Sequence, residues 1–230
     1  GGWGNQEYQN YTSNTNNVKV EGGNLIITAK KTSATTFTSG RIITQDKLTF
    51  KYGTIEARIK TPNLANGLWP AFWTLGNNYP PWPQCGEIDI MEHWGNNQNY
   101  VSSATHTPSS SGNTVNHGGQ TISTVSSAYH IYTLEWRPDR LIFSVDSVVH
   151  FTYQPAVRNA STWPFDAELY ILLNIAIQPS IDPNFTEDDM VIDYVRVYQA
   201  SGISIDENKI NKTHHLYPNP VQDKLMVELD

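Results

Sequence analysis

Short runs in which apolar and polar residues alternate recur along most of the chain, separated by turn-forming residues. In Tyr52-Gly53-Thr54-Ile55-Glu56-Ala57-Arg58-Ile59-Lys60 the alternation places Ile55, Ala57 and Ile59 on one face, because successive strand side chains point to opposite sides. The run Leu141 to Ser147 leads into Val148-Val149-His150-Phe151 as a hairpin. Leu25 to Ala29, Ile131 to Trp136, Tyr170 to Ile177 and Met190 to Tyr198 read in the same way. Fifteen Gly and thirteen Pro punctuate these runs, and a helical period is nearly absent. About a dozen short strands with few helices predict an all-β chain, two stacked antiparallel sheets in a sandwich or jelly roll.

A length of 230 residues fits one main domain of this kind. After Tyr198 the rhythm breaks, so residues 1–199 form the working domain and 200–215 a polar linker. The short patterned piece 216–230 is too small to bury a core of its own. Net charge is −7 and no basic run exceeds Lys30-Lys31, which argues against capture of nucleic acid. No membrane span is expected: the longest apolar candidate, Leu169 to Ile177, is short and contains Asn174. A single cysteine, Cys85, leaves no intramolecular disulfide. The start at Gly1-Gly2-Trp3, without Met or a signal-like segment, reads as a processed or excised fragment.

The densest candidate chemistry is Gly86-Glu87-Ile88-Asp89-Ile90-Met91-Glu92. Glu87 and Asp89 share a face of a regular strand, whereas Glu92 points to the other. A β-bulge at Ile90-Met91 returns Glu92 to the same face. The two Glu Cα atoms then stand about 13 Å apart. Side chains leaning toward each other bring the carboxyls to about 5–6 Å, near the spacing of retaining glycosidases. In that arrangement one Glu attacks the anomeric carbon and the other protonates the leaving oxygen, while Asp89 between them helps keep one carboxyl protonated. By spacing alone, three carboxylates also suit a hard cation or a solvated strand face. Just upstream, Trp69 and Trp73 lie four apart on one strand face, and aromatic planes offer sugar rings a flat apolar surface.

Trp69-Pro70-Ala71-Phe72-Trp73-Thr74-Leu75-Gly76 followed by Gly86-Glu87-Ile88-Asp89-Ile90-Met91-Glu92 resembles glycoside hydrolase family 16, within it the laminarinase-like endo-β-1,3-glucanases. The similarity covers 1–199, from Gly2-Trp3-Gly4-Asn5-Gln6-Glu7 to Ile192-Asp193-Tyr194-Val195-Arg196-Val197-Tyr198. The resemblance implies a β-jelly-roll with a long cleft on its concave face and a retaining mechanism without a cofactor. It assigns Glu87 as nucleophile, Asp89 as the assisting carboxylate and Glu92 as acid/base. Met91 matches the inserted residue that marks the bulged branch. Trp69 and Trp73 resemble platforms flanking the cleavage point, His106 the cleft histidine on the next strand, and Asn5 and Arg41 residues that bind sugar hydroxyls on the non-reducing side. The implied partner is a β-1,3-glucan polysaccharide, and a long open cleft that needs no second subunit predicts a monomer. Rivals that the shared carboxylates leave open are mixed-linkage glucan, a marine galactan, or a lectin on the same sandwich.

By the strand period Asp193 falls on the face of Val191, Val195 and Val197, where an acid needs a partner. The resemblance implies one structural Ca²⁺ on the convex side, held by Asp193 and by the carbonyl of Gly23. Family members commonly begin with a further strand that can supply a ligand, and carry a Gly-Gly pair where this chain has Gln178-Pro179-Ser180. Finally, Leu216-Tyr217-Pro218-Asn219-Pro220-Val221 resembles the start of a type IX secretion sorting domain, truncated here, which implies a secreted or cell-surface protein.

Overall fold

Strands form at nearly every stretch that alternates in the sequence. The computed structural model describes residues 5–63, 67–77 and 80–199, together with the backbone of 214–218 and 225–229. In chain order the strands are β1 (Gln9–Tyr11), β2 (Val18–Glu21), β3 (Asn24–Lys31), β4 (Phe37–Ser39), β5 (Arg41–Ile43) and β6 (Gly53–Lys60). They continue with β7 (Leu68–Gly76), β8 (Glu87–His93), β9 (Tyr100–His106), β10 (His117–Thr121), β11 (His130–Trp136) and β12 (Leu141–Val145). The last are β13 (Val148–Tyr153), β14 (Leu169–Ile177), β15 (Glu187–Tyr198), β16 (His214–Pro218) and β17 (Leu225–Leu229). Among the described residues there is no α-helix.

One sheet runs β10-β9-β8-β7-β14-β5, antiparallel throughout. The other runs β1-β4-β3-β15-β6-β11-β12-β13, with β2 beside β3. It departs from the expected all-antiparallel pattern only where β1 pairs with β4 in parallel. The hairpin β12–β13 forms as expected, its turn residues Asp146 and Ser147 both at positive φ, the backbone that a two-residue turn between twisted strands requires.

Between the sheets lies a single apolar core. Ile55, Ala57 and Ile59 of β6 are fully buried in it, as are Leu134 of β11, Phe143 of β12, Ile88 and Met91 of β8, and Phe72 of β7. Burial alternates along β6 and β11, whereas every residue of β14 is buried, so this strand is enclosed on both faces. His130 hydrogen-bonds Asp146, and the Trp136 indole N–H donates to the Phe165 carbonyl, so both serve the structure.

Beyond 199 the expected linker falls outside the described residues as far as 213, and β16 starts at His214, two residues before the expected boundary at 216. Its backbone pairs with the C-terminal end of β15, through Val195↔Leu216 to Val197↔His214.

Candidate active site

The six-stranded sheet carries the carboxylates on its outer face, opposite the core. Gly86 opens β8 in a left-handed conformation (φ 78°) that other residues rarely adopt, and a Cβ there would press at 3.1 Å against Phe165 and Pro164. Glu87 pairs across to His106 and Asp89 to Ala104, but the next pair is Glu92 with Ser102. Three steps on β8 therefore match two on β9, and against β7 the register slips at the same place, between Met91 opposite Phe72 and Asp89 opposite Trp73. This is the expected bulge. It keeps Ile90 and Met91 buried while Glu92, like Glu87, stays partly accessible.

Each carboxylate has a neighbour that fixes it. The Trp69 indole N–H donates to Glu92 Oε1 at 2.9 Å. The Trp82 indole donates to Glu87. His106 Nε2 stands 3.1 Å from Asp89 Oδ2 and 3.6 Å from Glu87 Oε1. Burial pushes all three carboxyls above the ordinary range. The Asp89 charge raises Glu87 and Glu92 further, and the two indole donors pull the other way. Groups packed this closely share protons, so the site holds fewer charges than carboxylates near neutrality. Glu87, Asp89 and His106 present ligand atoms within 4.8 Å of one another, an arrangement that also suits a metal ion.

The predicted binding residues fall into two places. Trp69 and Trp73 share a face of β7, as expected. One face of Trp69 is stacked on Trp94, with centroids 3.8 Å apart, so this residue braces Glu92. Trp73 donates its N–H to Asn174 and lies under the Arg41 guanidinium, 4.9 Å from the ring centroid. Arg41 also covers Tyr11 at 5.3 Å, and burial lowers its pKa. Asn5 is exposed at the start of the described chain, and the group that interacts with Arg41 and Tyr11 is instead Glu7.

Several residues of the cleft escaped the sequence reading, Trp82, Trp94, Tyr11 and Asn174 among them. Trp82 is 47% exposed on the loop before β8, its ring 6.0 Å from that of His106. Its only signal is an aromatic between two prolines just before the first Glu. Trp94 follows Glu92 by two residues and carries no periodic signal. Tyr11 sits on the short edge strand β1. Asn174 was legible in principle, since an amide inside an otherwise apolar strand needs a partner, here the Trp73 indole.

On the larger sheet the register corrects one expectation. A bulge between Ile192 and Tyr194 shifts the strand phase, so Met190, Ile192, Val195 and Val197 face the core and Asp193 does not. Asp193 is 38% exposed and pairs with Arg58 at 2.6 Å. Arg58 in turn covers Tyr129, whose hydroxyl donates to Asn24 beside Gly23. A calcium ion takes six to eight oxygens. Asp193 and Gly23 fall short of that number, and the one carboxylate is already neutralised by a guanidinium.

Comparison with known proteins places these features in one lineage. The chain is 36% identical over 221 residues to a β-glucanase of Rhodothermus marinus, covering 86% of this chain and 76% of that protein. It is 35% identical to glucan endo-1,3-beta-glucosidase A1 of Niallia circulans, spanning 86% of this chain and a third (33%) of that longer protein. Among solved structures, a laminarinase from Flavobacterium sp. UMI-01 superposes with a TM-score of 0.81 at 44% identity, covering 86% of this chain and 87% of the other. Residues 5–196, which hold the bulged carboxylate strand and the aromatic residues around it, match the model of glycosyl hydrolases family 16, and the chain belongs to that family.

Proposed function

We propose that the protein is an endo-acting β-1,3-glucanase that hydrolyses laminarin-type glucans with retention of anomeric configuration. The observation that carries this reading is the bulge in β8, which sets Glu87, Asp89 and Glu92 on one face of the sheet. Glu92 Oε1 is committed to the Trp69 N–H, so Oε2 carries the proton given to the leaving oxygen. Glu87, steadied by the Trp82 N–H, attacks the anomeric carbon to form a glycosyl-enzyme. Glu92, now ionised, takes a proton from the incoming water, which releases the sugar and restores both groups. The Asp89 charge raises Glu92 and so supports its protonated state before the first step. Asn5 and Arg41, with Trp73, are assigned to the non-reducing half of the chain.

Several further assignments complete the reading. With Arg58 already on Asp193, Gly23 and Asp193 do not fit a calcium ion, and we assign none to them. The enzyme works as a monomer. The tail 216–230 resembles a type IX sorting segment, and on that likeness we read the protein as exported to the cell surface or medium. No helix among the described residues is long and apolar enough to cross a membrane.

The test is reducing-sugar release, with product sizing, from laminarin, mixed-linkage glucan and agarose in parallel, with Glu87→Gln as blank. Fastest release of short oligosaccharides from laminarin, abolished in the variant, is expected. Activity confined to another polymer would move the substrate, and binding without hydrolysis would replace the enzyme with a lectin.

A further inference from the structure

The carboxylate strand has two flanks; Trp69, Trp73, Asn174 and Arg41 lie on the one formed by β7, β14 and β5, whereas His106 lies on the other. The other flank is β9 and β10. On β9 the side chains of Tyr100, Ser102, Ala104 and His106 share a face, because strand side chains alternate. His106 is beside Asp89, which identifies this face as the cleft. Val101 and Ser103 point the other way: Val101 is fully buried and the Ser103 hydroxyl donates to the Ile90 carbonyl. Tyr100 and Ser102 therefore line the cleft, with Ser102 directly across from Glu92.

The edge strand β10 pairs Gly119 with Ser102 and Thr121 with Tyr100. Gly119 has no unusual φ that demands glycine. What it lacks is space: a Cβ there would stand 2.7 Å from Tyr100 Cζ and Oη and closer still to the Val101 carbonyl. The phenol end of Tyr100 thus lies over the bare backbone of Gly119, an aromatic on glycine across neighbouring strands. The ring is half-buried and its hydroxyl is at the outer strand of the sheet. Two strand spacings, about 10 Å, separate β10 from the carboxylates, which puts the ring beyond the first sugar on that side.

We propose that Tyr100, laid over Gly119, is an aromatic subsite for the leaving-group half of the glucan chain. This rests on the glycanase reading above. An aromatic plane on each flank grips the polymer on both sides of the bond to be cut. It favours internal bonds, because a chain end leaves one plane empty. Ser102, a small residue directly across from Glu92, leaves the floor between Glu92 and the ring free for a sugar.

The test compares Tyr100→Ala, Tyr100→Leu and Tyr100→Phe on two substrates: laminarin, and an aryl β-laminaribioside whose short leaving group does not reach β10. Stacking on one aromatic is worth about a fivefold to tenfold change. Tyr100→Ala is therefore expected to lower kcat/KM on laminarin by about that factor, with the aryl glycoside within about twofold of the parent and Tyr100→Phe close to the parent on both. Equal losses on both substrates, or no loss on laminarin, would overturn the subsite. If Tyr100→Ala fails to keep its near-ultraviolet dichroism, Tyr100→Leu decides, since it covers Gly119 without offering a plane. Parent enzyme that cuts another polymer and not laminarin would defeat the β-1,3 reading alone, and the same three variants on that polymer would then decide the subsite.

Discussion

Asp89 is the residue on which charge in the cleft turns. It is buried, and its carboxyl lies well above the ordinary range because of that burial. A carboxyl with a raised folded-state pKa adds stability that is full at low pH and is lost as the pH climbs from 3.8 toward about 8. Asp89→Asn removes that loss. The variant is expected to melt above the parent at pH 8 and to keep little of that advantage at pH 4, as read by calorimetry at both values. Removing the same charge lowers Glu87 and Glu92, so the residual activity of Asp89→Asn should peak at lower pH than the parent's. His93 acts with the opposite sign. Burial depresses it from 6.5 to about 4, so its contribution is present above pH 6.5 and is lost as the pH falls through that window. The loss is about 3 kcal/mol, and urea unfolding at pH 7 and pH 4 should show a smaller difference in His93→Gln than in the parent. The three carboxylates were legible in the sequence because chemistry of this kind concentrates unusual residue types in a few positions. Trp82 and Trp94 were not, because each acts through a single indole contact that no period or charge announces.

At the scale of the element, the bulge in β8 is a device for phase. Glu87, Asp89 and Glu92 cannot share a face of a regular strand, and the extra residue between Asp89 and Glu92 resolves the conflict. Deleting Met91 would leave the second Glu four positions after the first, in phase without any bulge. Such a variant is expected to lose about 2–5 kcal/mol of stability with the buried methionine side chain. It should still hydrolyse glucan, and a native-like fold with no hydrolysis would contradict this account of the bulge. The β15 bulge shows why a pattern of this sort is not always readable. Met190 and Ile192 before it, and Val195 and Val197 after it, form two apolar phases, and Val191 blurs the boundary between them. A strict period through that stretch puts Asp193 on the wrong face. The β8 bulge could be inferred because three acids had to meet, whereas at β15 no such demand fixed the position.

For the molecule as a whole, the division of labour between the sheets explains how much of the fold was accessible from pattern alone. Strands and their stacking follow from alternation and from turn residues at their ends. The order of strands across each sheet, such as β14 seated between β7 and β5, depends on contacts far apart in sequence that no local pattern records. The described residues that line the cleft, from Glu7 to Asn174, lie within 5–199, and the backbone of β16 pairs with the end of β15. A chain ended at Gln199 is accordingly expected to keep kcat/KM on laminarin within about twofold, with a modestly lower Tm. Chelation with EDTA should shift Tm little in either form, given the paired Asp193; a drop of many degrees would restore a strong calcium site.

The most direct test of the central claim is the configuration of the first product, followed by proton nuclear magnetic resonance of the anomeric signals during hydrolysis of a laminari-oligosaccharide. Double displacement through Glu87 and Glu92 predicts that the β-anomer of the new reducing end appears first and the α-anomer grows later by mutarotation. Initial appearance of the α-anomer would mean direct attack by water, and Glu87 would then not be the nucleophile.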